Sequence, residues 1–167
     1  MSSGKLLRFL GIIFSLLIIS CNNTSGENKK VHTGTVLVED YVAVMQKHLN
    51  AVTNRDIETL GSTLAPTGEM QLILPGSEIM ESVDKFMNYH REWFKDSTWT
   101  FENRILNSKV DENLAIAITE VVYREPIRDG KPYFNRMIVS YVLEKINGQW
   151  YVIKDHASSV EKSTDAE

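Results

Sequence analysis

Two dipeptides in the second half of the chain, Asp129-Gly130 and Asn147-Gly148, constrain its fold more than any other feature. A two-residue hairpin connection needs positive φ at both central positions, and Asp-Gly and Asn-Gly tolerate this. They separate long segments rich in β-branched and aromatic residues: Leu114 to Arg124, Tyr133 to Ile146 and Trp150 to Ser158. A fourth segment, Trp99 to Leu106, places Trp99, Phe101 and Ile105 on one parity. Consecutive strands joined by hairpins make an antiparallel sheet. The three longer strands carry large apolar residues on both parities, so both faces of the sheet must be at least partly hidden. A strongly curved sheet wrapped around a helix, with its outer face in a dimer contact, satisfies this.

The first half supplies the helices. Val38, Tyr41, Val42, Met45, Leu49 and Val52 recur at three and four residues, one stripe of a helix that starts near Val36. Asn54-Arg55 interrupts it, and Asp56 reads as the N-cap of a second helix with Ile57, Leu60 and Leu64 inward. Pro66 and Gly68 end that helix, and Glu69 to Leu74 reads as a short strand closed by Pro75-Gly76. Ser82 caps a third helix striped by Val83, Phe86, Met87, His90 and Phe94. The expected class is α+β: three N-terminal helices packed in a strongly curved antiparallel (mixed) β-sheet.

The beginning of the chain has another character. Lys5 and Arg8 precede an apolar run, Phe9 to Ile19, which is shorter than the ~20 residues needed to span a bilayer and has the length of a signal-peptide core. It ends in Ile18-Ile19-Ser20-Cys21, which resembles the lipobox cut by lipoprotein signal peptidase. Cys21 is the only cysteine, so no disulfide competes for it. The expected organisation is a signal peptide over residues 1–20, cleaved between Ser20 and Cys21; a lipidated cysteine and flexible tether over 21–35; a globular domain over 36–160; and a disordered tail over 161–167. Membrane lipid is the expected partner through Cys21, each buried methylene contributing ~0.8 kcal/mol. Asn22, rather than Asp, after the cysteine points to a cell-envelope location at the outer membrane, facing the periplasm.

The 18 lysines and arginines are scattered through a chain of net charge −4, which argues against nucleic-acid binding. No glycine-rich phosphate loop, Gly-x-Ser-x-Gly or His-Glu-x-x-His occurs. No cofactor and no metal are expected.

Two longer segments carry a family resemblance. Met45-Gln46-Lys47-His48-Leu49-Asn50-Ala51-Val52-Thr53-Asn54-Arg55-Asp56-Ile57 looks like the opening helix pair of the nuclear transport factor 2-like superfamily. Asn147-Gly148-Gln149-Trp150-Tyr151-Val152-Ile153-Lys154-Asp155-His156-Ala157-Ser158 looks like its closing strand. Within the superfamily the chain resembles the SnoaL-like group, from about Val38 to Val160. The resemblance implies a cone with a pocket between sheet and helices, and frequent dimerisation through the sheet. It implies no single activity.

His48 falls, by resemblance, where ketosteroid isomerases hold an oxyanion-binding tyrosine, which makes it the candidate catalytic residue. The isomerase base would fall in Gln71 to Leu74, where there is no carboxylate, with Glu69 and Glu78 only flanking. The second oxyanion donor would fall near Ser140. Two of three roles are therefore vacant, which argues against isomerase chemistry. Tyr41, Met45, His48, Trp93, Trp99, Phe101, Tyr123 and Arg136 are the expected pocket residues. Arg136, like Arg104, either holds a ligand carboxylate or pairs across strands. On strand alternation Trp150, Val152, His156 and Ser158 share a face. Two functions stay open: an anchored module that binds a small apolar or amphipathic ligand or serves as a dimeric envelope accessory, and an isomerase, dehydratase or cyclase using His48. A pure assembly domain with a filled pocket is the third.

Overall fold

The computed structural model describes residues 27–166, with side chains from Asp40 to Thr164. The leader, Ser20 and Cys21 lie outside the described residues. The elements are α1 (Glu27–Asn54), α2 (Ile57–Ser62), β1 (Gln71–Ile73), β2 (Ile79–Met80), α3 (Val83–Trp93), β3 (Thr100–Val110), β4 (Leu114–Arg128), β5 (Lys131–Ile146) and β6 (Gln149–Lys162). A 3₁₀ turn, Ser163–Ala166, follows.

Local signals act as the sequence suggests. Arg55 ends α1 with φ of 57°, and two backbone bonds close the helix: Asp56 N–H to Ala51 O and Arg55 N–H to Val52 O. This is the Schellman pattern with arginine in the usual glycine place. The Arg55 guanidinium also lies 3.8 Å over the Trp99 ring, tying the helix end to the start of β3. Asp56 caps α2 by accepting from Thr59 N–H, and Ser82 caps α3 by accepting from Lys85 N–H. Asp129-Gly130 and Asn147-Gly148 have positive φ at both positions, as their hairpins require.

The sheet order is β2-β1-β6-β5-β4-β3. β1 runs parallel to β6 and the other pairs are antiparallel, so the sheet is mixed. Register slips interrupt the β3–β4, β4–β5 and β5–β6 ladders. Each such irregularity bends and twists the strand that carries it, which curves the sheet. The concave face closes on α1, whose Tyr41, Met45, Leu49 and Val52 are buried. Thr53 Oγ1 donates to Phe101 O (3.1 Å) and accepts from Asn103 Nδ2 (3.0 Å), joining α1 to β3.

Three boundaries differ from expectation. Between the second and third helices the strand expected within Glu69 to Leu74 is present as β1 beside β6, and it is followed by a strand that was not expected, β2, which pairs with β1 at the edge of the sheet. α1 starts at Glu27 instead of near Val36, so much of the expected 21–35 tether is helical. Apolar spacing reports burial and not helicity, and a nucleated helix propagates cheaply through polar residues. The expected tail over 161–167 is ordered through Ala166: Glu161 and Lys162 extend β6, pairing with Arg136 and Asn135, and the Ser163 hydroxyl accepts from Phe134 N–H (3.1 Å).

Candidate functional site

The site is created by an irregularity in β6. Trp150 and Val152 are buried, following the expected alternation. The register then slips, since Leu143 pairs with Val152 but Val142 pairs with Lys154, leaving Ile153 as an extra residue. One extra residue reverses which face every later side chain takes. Asp155 and Ala157 are therefore buried, and His156 and Ser158 are exposed. This corrects the expectation that His156 and Ser158 share a face with Trp150 and Val152.

Asp155 thus turns into a cavity of about 340 Å³ between the sheet and the helices. It is paired in register with Tyr141 on one side and Leu72 on the other. Only 8% of Asp155 is exposed, and its Oδ1 makes no hydrogen bond. Burial pushes its carboxyl up to about 7. The Tyr141 hydroxyl is raised well above its ordinary value by burial and then by Asp155. Tyr89 on α3 is raised by burial, then by Glu78 and Asp155. His90, also on α3, lines the cavity and is lowered to about 4 by burial.

The wall is aromatic. Trp93 stacks on Trp99 with centroids 4.4 Å apart and an interplanar angle of 15°, and its ring also meets Phe101 (6.0 Å) and Tyr123 (5.8 Å). Val52, Leu72, Leu74, Met137 and Val139 complete the apolar lining. At the mouth Tyr123 Oη donates to Glu125 (2.7 Å), and Arg128 grips both Glu125 oxygens while lying 3.5 Å over the Tyr133 ring. Glu78 and Lys162 also reach the cavity.

Of the residues expected to line a pocket, Trp93, Phe101 and Tyr123 do so. Trp99 stands behind Trp93 as its stacking partner. Tyr41 and Met45 are fully buried in the core, Tyr41 with its ring edge toward Trp150 at 6.2 Å. His48 is fully buried too, one turn of α1 before the pocket-lining Val52 and covered by Tyr141 and Phe86. Its Nδ1 lies 2.8 Å from Thr63 Oγ1, whose own proton goes to Leu60 O at 2.6 Å. Nδ1 must then be the donor, which leaves Nε2 without a proton and without a partner. Burial lowers His48 to about 3, with a smaller contribution from His90. His48 is not among the residues that line the cavity, and its one ring proton is donated to Thr63.

Arg136 is corrected as well, because the inward residues of β5 are Asn135, Met137, Val139 and Tyr141. Arg136 lies on the outer face in a ladder of charges: Arg104 to Glu120 (2.7 Å), Glu120 to Arg136 (3.6 Å) and Arg136 to Glu161 (3.3 Å). Ser140 has the same outward parity. Among the described residues no three His, Cys, Asp or Glu side chains gather as a metal site, and no helix is long and apolar enough to cross a membrane. Sequence reasoning missed Asp155 because its parity depends on the Ile153 bulge, for which the chain offers no local mark.

Comparison with known proteins agrees with this geometry. The family model described as a SnoaL-like domain matches residues 42–161. No curated protein matches the sequence. Among solved structures, a protein of the NTF2-like family from Streptomyces avermitilis is similar at a TM-score of 0.66 and 17% identity, covering 76% of this chain and 99% of that one. A ketosteroid isomerase-like protein from Erwinia carotovora atroseptica gives 0.62 and 16%, covering 74% and 95%. The CaMKII association domain of C. elegans gives 0.54 and 20%, covering 78% and 98%. At such identities the likeness is one of fold.

Proposed function

Given that the chain belongs to the SnoaL-like family, whose members share a cone more than an activity, we propose that it is a lipid-anchored binding domain for a small, largely apolar molecule. One observation carries the reading: an aromatic-walled cavity of about 340 Å³ ends on a buried carboxyl with an unpartnered oxygen. Ligand sites are typically apolar concavities of ~300–1,000 Å³ with a few convergent polar groups, and this cavity has that composition. The wall supplies affinity by burial and Asp155 supplies orientation. Cys21 is the proposed lipid attachment. The outer sheet face is the proposed contact with a second copy, where Ile116 is half exposed beside Ile118, Ile138 and Val142.

Native mass spectrometry of the protein, gently extracted from its own envelope, tests the reading. A reproducible extra mass that disappears when Val139→Phe fills the cavity is the expected result. A clean protein with an unchanged spectrum in the variant argues for an assembly domain instead.

Asp155 also favours a second reading. A carboxyl near 7 is poised to move a proton at neutral pH. In an isomerase, dehydratase or cyclase version of this domain Asp155, and not His48, is the acid–base residue. Turnover that survives Asp155→Asn would remove that version.

A further inference from the structure

Resting on the reading of the cavity as a ligand site, we infer that its floor selects a molecule presenting a hydrogen-bond donor, a hydroxyl or N–H on a ring, over one presenting only a carbonyl or ether oxygen. The reason is the balance of protons and lone pairs at the floor. Asp155 Oδ1 on β6 is a buried acceptor with no hydrogen bond. Asn135 lines the cavity farther along β5, opposite Lys162, and its amide both gives and accepts, so it does not tip the balance. His90 on α3 is the second acceptor. Its Nδ1 lies 2.9 Å from Phe86 O, and a carbonyl only accepts, so Nδ1 carries the proton. The ring is kept neutral by burial, so Nε2 is a bare lone pair.

Two acceptors, one on β6 and one on α3, therefore line one largely apolar cavity. Leaving a buried acceptor unmet costs ~1–3 kcal/mol, which a ligand donor recovers. A ligand carbonyl or ether would set its lone pairs against these. The Tyr141 and Tyr89 hydroxyls both give and accept, so they do not tip the balance. His48, behind Tyr141 on α1, has an unprotonated Nε2 of the same sign. The charged groups Arg128, Lys162 and Glu78 are the remaining ones that face the cavity. Arg128 is held by Glu125 at the mouth.

Size narrows the class. A cavity of ~150 Å³ takes one benzene ring, and about 340 Å³ accommodates two fused rings. The test compares 2-naphthol with 2-methoxynaphthalene, which differ at the oxygen by a proton exchanged for a methyl group. Calorimetric titration of the whole chain in lipid nanodiscs, with empty discs subtracted, reads both. The expected result is naphthol binding at least tenfold tighter at pH 8, with the gap narrowing toward pH 6 as Asp155 takes a proton. In Asp155→Leu the gap should fall below threefold while the ether still binds. Equal affinities, a tighter ether, or a gap that does not change between pH 6 and pH 8 overturns donor selection and leaves the binding site standing. Failure of both compounds to bind overturns the site itself.

Discussion

Asp155 is a cost that the fold carries for its pocket. Burial holds its carboxyl at about 7, so the folded state keeps a proton that the unfolded chain has lost above the ordinary carboxylate range. Stability from this group therefore falls as pH rises from about 4 through about 7. His48 and His90 act in the opposite sense. Burial lowers them to about 3 and about 4, so the unfolded chain binds protons below about 6.5 that the folded rings refuse, and stability falls as pH drops through that window. Asp155→Asn is expected to stabilise the protein at pH 8 by roughly 2–4 kcal/mol, with the gain vanishing near pH 4. Urea unfolding at both pH values reads this, and an equal shift at both would refute the assigned burial. Thr63→Val removes the acceptor of the His48 Nδ1 proton. It should cost about 1–3 kcal/mol, whereas Thr63→Ser keeps most of the stability. A negligible loss in Thr63→Val would mean that His48 finds another partner.

At the scale of the element, the bulge at Ile153 decides which of two adjacent side chains, Asp155 or His156, enters the cavity. Deleting Ile153 removes the extra residue and leaves Lys154 opposite Val142 and Asp155 opposite Tyr141, so Asp155 and Ala157 keep facing inward while the bend that the bulge adds is lost. The expected outcome is that ligand binding is retained with a modest change in melting temperature. Loss of binding by the deletion variant would show that the bend itself, and not only the facing of Asp155, shapes the cavity. The helix starts are simpler. Asp56→Ala and Ser82→Ala each remove one side-chain acceptor from a helix N-terminus, and each should cost about 1 kcal/mol in thermal or urea unfolding. A cap is a contact within three residues of its helix, so it is legible in a sequence. A bulge is a property of two strands together and is not.

For the whole molecule, the outer face of the sheet and the start of the chain carry the proposals. The charge ladder from Arg104 through Glu120 and Arg136 to Glu161 crosses four strands on that face. Exposed pairs of this kind are individually worth little, so the neighbouring apolar strip is the part that would drive association. Ile116→Lys is expected to shift the protein from dimer to monomer in analytical ultracentrifugation, and an unchanged sedimentation coefficient would remove this face as the contact. The sequence by itself determined the α+β class, the caps, the two Gly hairpins and the buried stripe of α1, because each depends on a few neighbouring residues or on a regular period. It also carried the family, through segments at both ends of the domain. Only the tertiary structure decided the site. It sealed His48 behind Tyr141, sent Arg136 and Ser140 to the outer face and turned Asp155 inward. Those outcomes depend on register between strands distant in sequence, and one inserted residue is enough to exchange the faces.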